Sequence, residues 1–485
     1  MKGDFSRMTF NQGAHYSRVL LQQGRVTLDA DVNEESSIVL HYLQTLARDL
    51  FGPYGGPADG GFGLVLDTSN QAWRLAVGPG HYYVDGILCE SEDWIDYADQ
   101  PDYPLPQPNG QGAGGDPFAA WLKKHDENGV FWVYLDVWER HLTWIEDDRI
   151  REVALGGPDT STRTKVVWQV KAIPWNVEAP GAPVCEDPLS TLLLIGDATM
   201  GARLDPGSQD SDPCVLPPDA LYRGAENQLY RVEIHTGGSV GDDPGPTFKW
   251  SRDNGSIATR WLGTDGNDLL VANARGFAAS TWVELSDDLH DLSAVPGTLV
   301  KLAQVDGDRL TVDPASVDDP SDLAWSTQLS NPKVRRWDQH ANDATVLVGG
   351  AVPITEGTEP KDWIDLEDGI QIRFNPGGVY RSGDYWMIPA RVATGGIEWP
   401  YGPDEFVAPL GIEHHYAPLG FVLPGENHIQ DCRRCEGLQV LDCPAPTPPD
   451  PAPQLAAAAG HAATAAKKVS GGPRASRTPK QKGRP

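Results

Sequence analysis

Cysteine is scarce: six residues are spread over a chain of 485, too few for the disulfide framework that holds small secreted domains together. No apolar run approaches the ~20 residues that a membrane helix needs. The start Met1-Lys2-Gly3-Asp4-Phe5 lacks the apolar stretch of a secretory signal, so cytoplasmic synthesis is expected, with any exit by another route. Bases are outnumbered, with 39 Lys and Arg against 68 Asp and Glu, a net charge of −29. Seven of the bases lie after residue 450, where no acid occurs, so the remainder holds 32 bases against 68 acids, or −36. Such a body repels nucleic acid and anionic membrane. A Walker loop and a dinucleotide fingerprint are both missing, so no nucleotide cofactor is expected. No repeat of solenoid or propeller period occurs.

What is present points to strands and turns. Fifty-two Gly and 41 Pro suit many short elements, and 16 Trp, 14 Tyr and 11 Phe suit packed β-cores or wide contact surfaces. The expected class is mainly β and multi-domain: an antiparallel body with an N-terminal helix, a small inserted barrel and a disordered basic tail. Residues 1–28 read as strands and turns. A helix follows over 32–51, with Asp31 as N-cap, Glu34 as its capping-box partner, and Leu43, Leu46 and Leu50 as its packing face. With this helix, 1–72 forms the first segment. A β-rich domain spans 73–225, beginning with a hairpin from Trp73 to Ile87 around Gly78-Pro79-Gly80 and including a strand at 192–195. Phe131 to Trp138, apolar on both faces, is its central strand. A second β-rich domain spans 226–268 and 315–443. Within it, 269–314 has short strands and regular turns that suit an inserted barrel. Pro- and Ala-rich residues 444–485 cannot bury enough apolar surface to order themselves.

Each chemical motif fails when its context is checked. Asp29-Ala30-Asp31-Val32-Asn33 opens like a calcium loop, but Glu34 and Leu40 stand where Gly and Glu are required. Gly237-Gly238-Ser239-Val240-Gly241 has the spacing of a nucleophile elbow, yet Asp242-Asp243-Pro244 cannot start its helix. Glu139, Asp147 and Asp148 are the candidate catalytic acids, since two facing carboxylates can hydrolyse a glycoside. Glu413-His414-His415 lacks a metalloprotease frame. Cys432 and Cys435, with Cys443 and His428, are the candidate ligands for a structural zinc, against the plainer reading of reduced thiols. Cys89, Cys185 and Cys214 stand alone.

Several segments together carry a resemblance. They include Phe10 to Glu35 with His15-Tyr16-Ser17-Arg18-Val19-Leu20, Gly80 to Cys89, Tyr134 to Arg140, Glu226 to His235, Phe248 to Ser256 and Tyr380 to Arg391. In this order they resemble a bacterial domain family of unassigned chemistry found in gene clusters for phage-tail-like contractile injection systems. The resemblance implies a structural particle component, associated with baseplate or fibre. Its partners would be baseplate, spike, tube or fibre proteins, and it would leave the cell in a particle released by lysis. It supplies no site residues. The rival reading is a carbohydrate-binding or glycoside-hydrolysing protein using the acids of 136–152.

Overall fold

The computed structural model describes residues 1–58, 60–68, 73–104, 116–124, 129–175, 185, 196–206, 221–341, 345–399, 405–423 and 428–435. All belong to one unit, Met1–Leu438. Among the described residues the chain is mainly β, with antiparallel sheets and three α-helices. The strand expected at 192–195 and the tail 444–485 lie outside the described residues.

The centre is a long hairpin, Phe131–Leu142 paired with Arg163–Pro174 from Phe131↔Pro174 to Leu142↔Arg163. On its other edge Phe131–Leu142 pairs with His415–Leu423, which pairs in turn with His428–Asp431. Burial on both faces explains the continuous apolar run. Val133, Leu135 and Val137 face one core with Leu75, Tyr82 and Phe118. Trp132 and Tyr134 face another with Phe421.

A second sheet is built on Gln228–Thr236, flanked by Thr247–Ser251 and Tyr385–Arg391. Its core includes Tyr230, Val232, Phe248, Trp250 and Trp386. A three-stranded sheet of Met200–Leu204, Ile370–Phe374 and Ile364–Asp365 adds Met200, Ile372 and Phe374.

The inserted barrel is present and longer than expected. Four of its strands, Asp268–Val271, Trp282–Ser286, Thr298–Asp306 and Arg309–Val312, fall in or at the edge of 269–314. Ala258–Asp265 and Lys333–Trp337 close it. The bases of Lys333-Val334-Arg335-Arg336-Trp337 are engaged by the protein: Lys333 by Glu146 and Asp291, Arg335 by the Gly255 carbonyl, and Arg336 by Asp253 and Asp338. A short helix, Asp288–Ser293, starts at Asp287, whose carboxylate accepts from the Leu289 and His290 N–H groups.

The first hairpin differs from expectation. Arg74–Val77 pairs with Leu64–Asp67 and Ile95–Asp96, while Gly80–Val84 pairs with Ile87–Ser91. The tight turn is Asp85-Gly86, with φ of 48° and 84°. This is the Asp-Gly signal of a two-residue hairpin, which the flanking Gly78-Pro79-Gly80 obscured.

The N-terminus is also corrected. Residues 1–28 hold no strand, only a 3-10 turn at Gln12–Ala14. Helix α1 runs Asp29–Phe51 with Leu28 at the N-cap position. Asp31 sits inside the first turn and accepts the Leu28 N–H at 3.4 Å. Glu34 instead accepts the Thr9 hydroxyl at 2.6 Å, and Asp29 accepts the Ser6 N–H at 2.9 Å.

Helix α1 rests on the Asp85-Gly86 turn. A Cβ on Gly86 would collide with the backbone carbonyl of Gln44, and the positive φ adds strain. Gly86→Ala is therefore expected to cost about 1 kcal/mol or more. It should speed hydrogen exchange across residues 29–51 before the central hairpin is affected. Uniform loss of protection in both places would show that α1 does not seat there independently.

Candidate functional site

Chain order brings three bodies to one joint: the central hairpin, the second sheet and the barrel. The N-terminus reaches into it. The Met1 amine donates to the Tyr385 hydroxyl at 2.7 Å, and the Asn254 amide donates to the Met1 and Gly3 carbonyls at 3.2 and 2.9 Å. Lys2 reaches Glu233 at 2.9 Å. Arg231 binds the same carboxylate at 2.6 Å and lies over the Tyr385 ring at 3.6 Å. Lys249 bridges Glu233 and Glu284 at 3.3 and 2.5 Å. A second cluster adjoins it. Arg140 holds Asp288 and Asp291 at 2.6 and 2.9 Å, and Lys333 holds Glu146 and Asp291 at 2.7 and 2.5 Å.

Burial works against ionised carboxylates here, yet the bases override it. Lys333 and Thr143 bring Glu146 down to about 2, and Lys249 and Lys2 bring Glu284 down to about 2. Glu233 and Asp291 fall well below the usual carboxylate range for the same reason. The cavity in the joint is about 130 Å³ and is lined by His141, His235 and Glu139 among others. Burial pushes His141 down to about 3 and His235 down to about 4. Both imidazoles are neutral near pH 7.

The candidate acids are not brought together as a pair. Glu139 lies at the edge of the joint and of a second cavity, and burial raises its carboxyl pKa. Asp147 is clamped by Arg149 at 2.9 and 2.8 Å, which lowers it to about 2. Asp148 pairs with Arg151 at 3.4 Å. Neither Asp147 nor Asp148 lines either cavity. The Ser239 N–H is taken by Asp242 at 2.6 Å in a β-turn, with no helix following. His414 binds Asp136 and His415 binds Asp85, at 2.6 and 2.9 Å, so the histidine pair is split between two carboxylates.

The cysteine reading needs correction. Cys432 forms a disulfide with Cys185, 247 residues away. It is therefore neither a reduced thiol nor a zinc corner. Cys435 is a free, half-buried thiol. His428 opens a strand paired to Leu423, and Cys443 lies outside the described residues. Among the described residues no three His, Cys, Asp or Glu side chains come together as a metal site.

The feature that stands out is the orientation of α1. Val39, Leu43, Leu46 and Leu50 recur at helical spacing, but they are 46–59 % exposed. The expectation that Leu43, Leu46 and Leu50 pack the helix onto the body is therefore overturned. Only Ala30 and Ile38 are buried. The face turned to the body is otherwise polar. Arg48 pairs with Asp85 at 3.3 Å, and Phe51 stacks on Tyr83 at the helix end. A cavity of about 360 Å³ lies under this face, lined by His41, Gln44 and Arg48 from the helix and by Glu139, Glu413 and His415 from the body. Periodicity revealed an amphipathic helix but not which face turned inward. The signal missed was the polar set Glu34, His41, Gln44 and Arg48 on the opposite side.

The segment before α1 is exposed too. Tyr16, Leu20, Leu21, Val26 and Leu28 are 45–83 % exposed. Among the described residues, 14 of 28 exposed large apolar side chains lie within the first 50 positions.

A family model matches residues 1–179 and 196–485. The chain belongs to DUF6519, a family of unknown function. No curated protein and no solved structure matches it. In this DUF6519 chain the family match takes in the exposed arm, α1 and every residue of the ionic joint named above.

The joint sets a pH dependence. His141 and His235 have folded pKa values below the unfolded value of 6.5, so their contribution is full above that pH and declines towards pH 4 and 3. Glu146 and Glu284 follow from 4.5 down to about 2. Asp384, raised by burial to about 7, works in the opposite sense, losing its contribution as pH rises through 7. The two histidines and two glutamates outnumber it, so urea midpoints should fall as pH drops from 7 to 3. His141→Gln with His235→Gln should flatten the fall between pH 6.5 and 4. An unchanged slope in the double variant would contradict their buried neutral state.

Proposed function

We propose that this chain is a structural or assembly component of a phage-tail-like contractile injection particle, baseplate- or fibre-associated, acting through protein–protein contacts. The observation that carries a contact role is the outward apolar face of α1. Burying such a face is the main gain available to an amphipathic helix, and an unburied one of this size marks an interaction site. The whole-chain resemblance described above supplies the kind of assembly. The Cys185–Cys432 disulfide fits a protein that ends outside the reducing cytoplasm. The partners are other particle proteins: baseplate, spike, tube or fibre components. No observation favours the glycoside reading, because Asp147 and Asp148 are held in surface ion pairs away from Glu139.

The test is complementation of the deleted gene within its cluster. Leu43→Asp with Leu46→Asp should abolish incorporation into particles while leaving the folded protein soluble, since both side chains are exposed. Glu139→Gln and Ser239→Ala should leave particle assembly and activity unchanged. Complete but inactive particles containing folded Glu139→Gln protein would overturn the proposal in favour of hydrolysis.

Nucleic acid is not an expected partner of the body. At −36 before residue 451, close approach to phosphate is unfavourable. Filter binding at physiological salt should show little or no DNA retention, and any retention should vanish when 444–485 is removed. Retention by the truncated chain would contradict this.

A further inference from the structure

Helix α1 and the arm before it are complementary to each other, yet neither is satisfied within one chain. The arm 5–28 contains Arg7, Arg18 and Arg25 and no acid at all. Arg7 pairs with Glu398, but Arg18 and Arg25 are exposed and make no ion pair among the described residues. Helix α1 displays the exposed acids Asp29, Glu35 and Asp49 beside its apolar stripe. Both segments present apolar side chains to solvent: Tyr16, Leu20, Leu21 and Val26 from the arm, and Val39, Leu43 and Leu46 from the helix.

Lengths agree as well. Residues 16–28 span up to ~43 Å when extended, and the 23 residues of α1 span ~34 Å. The start of the arm is already fastened to its own helix, through Ser6–Asp29, Thr9–Glu34 and the Phe10–His41 ring contact. Beyond the turn at Gln12–Ala14 the chain stands off, and a Cβ placed on Gly24 would meet nothing within 4 Å. An apolar, basic arm thus leaves an apolar, acid-rimmed helix uncovered beside it.

We propose that the occupant of this face is a second copy of the same chain, with residues 16–28 of each copy lying along the outward stripe of the other copy's α1. This rests on the contact role proposed above and names its first partner. A two-fold arrangement makes the contact twice in one association. It buries the apolar stripe and brings Arg18 and Arg25 near Asp29, Glu35 and Asp49. The arm's positive charge offsets the repulsion between two strongly acidic bodies.

The experiment is sedimentation velocity on the full chain from nanomolar to micromolar concentration. The wild type should be a dimer. Leu20→Asp with Leu21→Asp in the arm, or Leu43→Asp with Leu46→Asp in the helix, should each raise the dissociation constant at least ~30-fold. All four side chains are exposed, so circular dichroism should show both variants folded as the wild type is. Mixing the two variants should restore a dimer of intermediate affinity, because one intact arm then meets one intact helix. A contact of helix on helix alone would show no such recovery, and that result would overturn arm exchange. A wild type that stays monomeric across the range would overturn the dimer. If the wild type is monomeric while the α1 variant still blocks particle assembly, this inference falls and the contact role stands. If the dimer forms but particles assemble regardless of either variant, the contact role in the particle falls and the dimer stands.

Discussion

Glu233 and Glu284 are buried with Lys249 and with the half-buried Lys2, and neither carboxylate is tolerable alone in that position. Removing one partner from such a set leaves an uncompensated buried charge, which costs far more than a surface ion pair contributes. The set draws on the N-terminus, the second sheet and the barrel, so three distant stretches must meet before any of them is satisfied. Arg140, Lys333, Glu146 and Asp291 repeat the arrangement between the central hairpin and the barrel. The barrel is therefore held on two sides by ion pairs, alongside small apolar contacts of Leu292 with Trp138 and Val167 and of Leu299 and Trp337 with Ala351. Its own core, around Val283, Val300, Leu310 and Val334, is separate.

This joint also governs the outer surface. With Met1 and Lys2 anchored inside, the chain leaves the joint as an arm and returns as α1 with its polar face inward. The Asp85-Gly86 turn, Arg48 and Phe51 fix the helix's rotation. Its apolar stripe is consequently held outward on a rigid support. A stripe presented this way loses little conformational freedom when a partner covers it, which favours affinity.

The candidate chemistry dissolved for local reasons. Asp147 has an arginine two residues away, Ser239 sits before a turn, and His414 and His415 point to separate carboxylates, one on the central strand and one in the Asp85-Gly86 turn. Each was visible in sequence as a residue type, and each proved to be a structural partner. The Cys185–Cys432 pair was invisible because nothing local marks two cysteines 247 residues apart as neighbours.

The amino-acid sequence by itself determined what depends on neighbours along the chain. The mainly β class followed from strand-length apolar runs and turn residues, the central strand from the apolar character of both faces of Phe131–Trp138, and the helix expected over 32–51 from its 3.6-residue period. It also determined the failure of the calcium and elbow motifs, which are local by nature. Only the tertiary structure decided which side of α1 faces water, because an amphipathic period defines two faces and not their partners. It alone closed the barrel with Lys333–Trp337, where Lys333 is buried against Glu146 and Asp291 from elsewhere in the chain. Charge and apolarity are properties of residues, but burial is a property of the distant segments that meet them.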